Sequence, residues 1–188
     1  MSLEGTAGNG RNRPQPHRID THHHILPPPY LSKERDRIRA SAPNHSAQAF
    51  DWSPAKALEA MDRAGIATAV TSISAPGIGF GDAAESRRMA RECNEFAARM
   101  ASDHRGRFGV FAALPLPDVD GSLREIEYAL DVLKADGVGL MTHYGDLWPG
   151  DARLAPVFEE LEPGELLAVE CDNALELLPQ LGGQGASR

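Results

Sequence analysis

Arg18-Ile19-Asp20-Thr21-His22-His23-His24-Ile25-Leu26-Pro27-Pro28 is the stretch on which both fold and chemistry turn. Apolar residues flank it and prolines end it, so Ile19 to Ile25 reads as a strand that runs into a loop. Side chains alternate across a strand, which puts His22 and His24 on one face and His23 on the other. Two neutral imidazoles on one face suit a divalent cation such as zinc. By the same alternation Asp20 shares their face, where it could orient an imidazole or reach the ion. A histidine triplet also suits a solvated loop or the remnant of an expression tag. The apolar strand residues built around this one favour the metal reading.

The 188 residues carry a net charge of -8, with 41% hydrophobic and 24% charged residues. That is a globular composition for one domain or a piece of a larger one. The acidic balance argues against nucleic acid or an anionic membrane as partner. No apolar run approaches the roughly 20 residues that span a bilayer. Residues 1–17 are rich in Gly, Asn, Arg and Pro, lack the apolar segment of a secretory signal, and read as a disordered leader. Cys93 and Cys171 have neither redox nor metal spacing, which fits a reducing cytoplasm.

Strand and helix patterns alternate from residue 18 onward. Pro27 to Trp52 reads as a long polar excursion, and long ordered loops are often functional. Ser53, with Pro54 after it and Gly65 beyond, brackets a helix whose apolar face carries Leu58 and Met61. The β-branched run Ile66 to Ser74 is a second, buried strand. Ala75-Pro-Gly-Ile-Gly-Phe-Gly follows, a loop that either borders a pocket or simply connects; no Gly-Lys-Ser/Thr makes it a phosphate loop. Asp82 and Glu85 resemble a cap, and Met89, Cys93, Phe96 and Met100 form one helical stripe. Arg107 to Pro117 is the third strand, Ser122 with Glu125 a capping box, and Leu123, Ile126, Leu130 and Leu133 the next stripe. Gly137 to Gly145 is the fourth strand, with His143 at its end, and Leu154 to Glu162 a short helix. The pattern predicts an α/β fold of about four βα units, with parallel strands under helices. A closed eight-stranded barrel takes about 250 residues, so the chain covers roughly half of one. An open sheet edge after the fourth strand offers a surface for a second copy, a homo-oligomer contact.

Taken together, these segments resemble the amidohydrolase superfamily, in the branch of aminocarboxymuconate-semialdehyde, γ-resorcylate and 6-methylsalicylate decarboxylases. The resemblance rests on Ile19-Asp-Thr-His-His-His-Ile-Leu-Pro, Met61-Asp-Arg-Ala-Gly-Ile-Ala-Thr-Ala-Val and Glu92-Cys-Asn-Glu-Phe-Ala-Ala. Arg107-Phe-Gly-Val-Phe-Ala-Ala-Leu-Pro-Leu-Pro and Leu154-Ala-Pro-Val-Phe-Glu-Glu-Leu extend it. It implies a (β/α)8 barrel with one divalent metal, often zinc, at the C-terminal mouth, and His22 and His24 match its first-strand ligand pair. The branch completes its site with a later His before a Pro, a catalytic His after the sixth strand and an Asp from the eighth. Here Glu170-Cys171-Asp172 stands where the His-Pro is expected, and residues 163–188 form an atypical tail with a weak fifth-strand pattern at Glu165 to Cys171. The half barrel is therefore expected to span residues 18–162, as a truncated or frame-shifted product of a longer barrel. His143 sits where relatives carry Asn or His, which implies a substrate contact; an exposed strand-end histidine is the plainer alternative. His104 reads as a helix-end residue, and His17 and His45 as solvent-facing.

The resemblance implies a metal-dependent decarboxylase, a carbon–carbon lyase, acting on a small aromatic or enoic carboxylate and crippled by truncation. Hydrolysis of an amide or lactone on the same scaffold is one alternative, and a non-catalytic fragment is another. The Leu-Pro-Leu-Pro and Thr-His-Tyr-Gly strand ends favour decarboxylation over hydrolysis.

Overall fold

Nine strands and α-helices follow one another along the computed structural model, which describes residues 17–41, 50–79 and 81–161. They are β1 (Arg18–Ile25), α1 (Pro28–Ser41), α2 (Pro54–Ala64), β2 (Ile66–Ile73), α3 (Ala83–Asp103), β3 (Phe108–Ala113), α4 (Val119–Glu127), β4 (Gly137–Gly139) and α5 (Ala155–Glu160). All four strands pair in parallel, and their spatial order follows the chain, β1-β2-β3-β4. An unreversed parallel order is that of a barrel wall; a doubly wound sheet reverses at a switch point. Among the described residues, no strand pairs with the outer edge of β1 or β4.

Local chemistry explains most boundaries. The Ser53 side chain accepts from the Lys56 amide at 3.3 Å, Pro54 occupies the first position of α2, and Gly65 ends it in the left-handed region at φ 68°. A residue with a Cβ would be strained at that φ, so glycine is required. Asp82 caps α3 by accepting from the Glu85 amide at 2.8 Å. Met89, Cys93 and Met100 of α3 then bury against the sheet, with Phe96 half-buried beside them. His104 closes α3, its amide donating to the Met100 carbonyl.

Three expectations change. The Pro27–Trp52 stretch is helical over half its length. Prolines are tolerated in the first turn of α1 because those amides lack intrahelical partners, and Tyr30, Glu34 and Ile38, four residues apart, form its buried face. With two of these three residues polar, the stripe leaves little hydrophobic signal. Ser122 and Glu125 lie inside α4 and cap nothing, because Asp118 takes the cap by accepting from the Gly121 amide at 3.1 Å. The fourth strand stops at Gly139: Tyr144 and Leu147 exchange backbone hydrogen bonds at 2.8 and 3.1 Å, which folds the chain back on itself. The last helical turn of the α4 segment widens into a π-helical turn at Tyr128–Val132, where the Leu133 amide reaches the Tyr128 carbonyl. The leader up to residue 16, His45, Cys171 and the tail from residue 162, candidate fifth strand included, lie outside the described residues.

Two cores result. One joins β1, β2 and β3 to α1, α2 and α3, around Tyr30, Met61, Ala69 and Cys93. The other packs α4 and α5 against the end of β3, through Leu116, Ile126, Leu154 and Val157. Asn94 stitches them together. Its amide donates to the Ala113 carbonyl and to Glu125, both at 2.9 Å, and its oxygen accepts from the Ala113 amide at 2.8 Å. Glu125, itself buried, is held by Arg91 at 2.9 Å. Asn94→Ala should therefore lower the unfolding free energy by about 2–4 kcal/mol, since it leaves a buried amide and a carboxylate oxygen short of partners. Urea denaturation followed by circular dichroism measures this.

Candidate metal centre at the strand ends

Between Asp20 and His23 of β1, Thr21 and His22 stand opposite the single residue Val70 of β2: Asp20 lies opposite Ala69 and His23 opposite Thr71. The extra residue is a β-bulge, a device that re-aims side chains near functional sites. It overturns the expected alternation at one position. Asp20 now shares a side with His23, whose Nδ1 lies 3.1 Å from the Asp20 carboxylate, while the His22 amide donates to the other Asp20 oxygen at 3.1 Å. Partial burial alone would raise the Asp20 carboxyl; the hydrogen bonds from His23 and His22 outweigh it and hold the group below its ordinary 3.8.

Beyond the bulge the alternation resumes. His22 and His24 both face a cavity of about 440 Å³ at the C-terminal ends of the strands, with ring centroids 4.7 Å apart and planes crossing at 74°. His23 does not line it. Cross-strand from His24 is Ser72 of β2, whose hydroxyl oxygen lies 3.3 Å from His24 Nδ1. Apolar side chains, among them Ile73, Phe111 and Val138, line the cavity, with Thr21, Ser72, Thr142 and Tyr144 as polar edges. Among the described residues no Lys, Arg, Asp or Glu lines it. Desolvation by the wall and the charge of the neighbouring His22 ring push His24 below its ordinary value of 6.5.

The Gly-rich loop after β2 forms part of the wall through Ala75, Gly77 and Ile78. Helix α1 holds it: the buried Tyr30 hydroxyl lies 3.2 and 3.1 Å from the Ser74 and Gly77 carbonyls, and the Ser41 hydroxyl donates to the Ala75 carbonyl at 3.2 Å. Gly79 has no alternative residue, because a Cβ there would stand 2.4 Å from the Leu116 carbonyl oxygen. His143 lies elsewhere. It is exposed, has its ring centroid 5.5 Å from that of Trp148 with the planes tilted by 43°, and lines an adjoining groove that shares Ala75, Ile78, Met141, Thr142 and Tyr144 with the cavity. The sequence reading overlooked Ser72 and Phe111; their only signal was a same-face position in a strand ending beside the histidine pair.

Two imidazoles on one wall are a donor set that fits a divalent cation, and zinc normally takes at least three protein ligands. Among the described residues, no group of three or more His, Cys, Asp or Glu converges.

Comparison with known proteins places the chain in a family. Residues 19–169 match the family described as Amidohydrolase. Decarboxylase yanB of Aspergillus niger is 37% identical over 150 residues, 77% of this chain and 40% of that protein. The 6-methylsalicylic acid decarboxylase of Penicillium expansum is 33% identical over 148 residues, 77% of this chain and 45% of that protein. The chain thus spans less than half the length of these curated relatives. A 5-carboxyvanillate decarboxylase from Novosphingobium aromaticivorans, solved with manganese and 4-hydroxy-3-methoxy-5-nitrobenzoic acid, has the same fold with a TM-score of 0.67. The match covers 90% of this chain and 55% of that one at 20% identity.

Between the depressed His24 value and 6.5 the unfolded chain binds more protons than the folded one, so stability rises with pH across that window and falls on acidification through it. In metal-free protein the His24 ring should titrate below 6.5 by NMR. The urea midpoint should fall as pH drops below that value, and less steeply in His24→Ala.

Proposed function

This chain belongs to the amidohydrolase family, and from that premise we propose that residues 18–162 are the first half of a metal-dependent decarboxylase barrel for a small aromatic or enoic carboxylate. The supporting observation is the cavity wall, where His22 and His24 stand over an apolar space that no Lys or Arg of the described residues enters. A carboxylate brought there finds no cationic side chain to neutralise it, and burying an unpaired charge is costly. An ion on the imidazoles would supply the compensating charge.

His22 and His24 are the proposed ligands. The ion, zinc or the manganese that the N. aromaticivorans enzyme holds, would carry the carboxylate oxygens and draw electron density from the ring. Phe111, Ile73 and Val138 would seat the ring and exclude water. The Tyr144 hydroxyl accepts from the Met141 amide at 2.9 Å, and burial keeps it protonated, so its proton is available for a substrate oxygen. His143 contacts the part of the substrate that reaches the adjoining groove. Loss of carbon dioxide also requires a proton at the carbon left behind. The resemblance puts that donor after the sixth strand, so residues 18–162 alone are expected to turn over little. Further barrel strands or a second copy would pair with the outer edges of β1 and β4. The buried, unpaired thiol of Cys93 suits a reducing cytoplasm. No helix among the described residues is long and apolar enough to cross a membrane.

Calorimetric titration with zinc and, separately, with manganese tests the site. Weak binding to wild type is expected, abolished in His22→Ala/His24→Ala. Tight binding that survives the double substitution would sink the proposal. Carbon dioxide release from salicylate-type acids, set against ring opening of aromatic lactones, separates decarboxylation from hydrolysis in whatever turnover is found.

A further inference from the structure

The two imidazoles are not held alike. Among the described residues, no hydrogen bond reaches the His22 ring, whereas the His24 ring has a partner across the strand pair. Its Nδ1 lies 3.3 Å from the Ser72 hydroxyl oxygen, and the two residues are directly paired in the β1–β2 register. Both line the same cavity. A histidine ring has two nitrogens, and whichever hydrogen-bonds a neighbour leaves the other to meet a ligand.

We propose that Ser72 is the positioning residue of the metal centre: it accepts from His24 Nδ1–H and thereby presents His24 Nε2, with its lone pair, to the cavity. This rests on His24 being a metal ligand, but the tautomer it names can be read without any metal. A hydroxyl can donate or accept, so the direction follows from what the ring has to offer. For Nε2 to meet a cation its lone pair must be free, and a neutral ring then carries its proton on Nδ1, 3.3 Å from the Ser72 hydroxyl oxygen that accepts it. The reverse arrangement would put the proton on Nε2 and close that nitrogen to a cation. Ser72 is well placed for the task because its position is set by backbone pairing in a central strand and by close neighbours. A Cβ at Gly139 would already meet the Ser72 Cβ at 3.6 Å.

Long-range ¹H–¹⁵N NMR of the metal-free chain, at a pH well above 6.5 where the ring is neutral, reads the tautomer directly. The Nδ1–H form of His24 is expected in wild type, with the Nε2–H form gaining population in Ser72→Ala and the wild-type pattern restored in Ser72→Thr. Zinc affinity should be roughly tenfold weaker in Ser72→Ala and recover in Ser72→Thr, the size typical when the outer partner of a ligating histidine is removed. A predominant Nε2–H form in wild type, or a Ser72→Ala variant that binds zinc as wild type does, overturns the proposal. The wild-type spectrum alone decides the tautomer, even if the variants fold poorly. Failure of the metal reading shows separately, as binding unchanged in His22→Ala/His24→Ala.

Discussion

The extra residue in β1 between Asp20 and His23 is the constraint from which the site follows. In an unbroken strand, Asp20, His22 and His24 would share one face, and a carboxylate would sit beside two imidazoles. The bulge removes Asp20 from that face and gives it other work. One of its oxygens accepts from the His22 amide, the other meets the His23 ring, and together these contacts hold the irregular backbone in place. An irregular strand leaves main-chain groups without ladder partners, and here a local side chain takes up one of them. His23 is in this sense part of the scaffold for its two neighbours.

Around that irregularity the wall is built by contacts distant in sequence. The loop after β2 could adopt many conformations given its glycines, yet the hydroxyls of Tyr30 and Ser41, at opposite ends of α1, lie within hydrogen-bond reach of three of its carbonyls. Asn94 does the same for the end of β3, pairing with both backbone groups of Ala113 and with Glu125 of the next helix. In each case a polar side chain from a helix satisfies backbone groups where a strand gives way to a loop. Those are the places where sheet hydrogen bonding runs out and the cavity begins. Asn94 of the Glu92-Cys-Asn-Glu-Phe motif thus has a structural reason, quite apart from chemistry.

What was legible in the sequence divides along the same line. The Ser53 and Asp82 caps, the Gly65 stop, the Met89–Met100 stripe and the parallel strands all came from local signals, and the structure has them. Helix α1 escaped because its buried face is mostly Tyr and Glu, and the α4 cap was misplaced because Ser122–Glu125 mimics a capping box four residues beyond the true one. The histidine pair was legible because strand period alone places it; the Asp20 error was not avoidable, since a bulge is set by the pairing partner and leaves no mark in the strand that carries it. Ser72 was invisible for a related reason, as nothing in Thr-Ser-Ile-Ser says which serine will stand opposite a histidine.

Arrangement and affinity separate cleanly in such a site. The relative placement of His22 and His24 depends on one strand, its bulge and its neighbour β2, all near the start of the fold and satisfied by contacts within the described residues. A half barrel can therefore hold the pair over the cavity without the later strands. Binding strength does not separate in this way. With fewer than three protein donors an ion on this pair would keep more of its water, since structural and catalytic zinc sites draw at least three ligands from the protein. The geometry of the two proposed ligands is thus a local property of β1 and β2, whereas tight occupancy and turnover would be properties of a closed barrel. A chain that spans less than half of its relatives can keep the former intact while the latter depends on what pairs with the outer edges of β1 and β4.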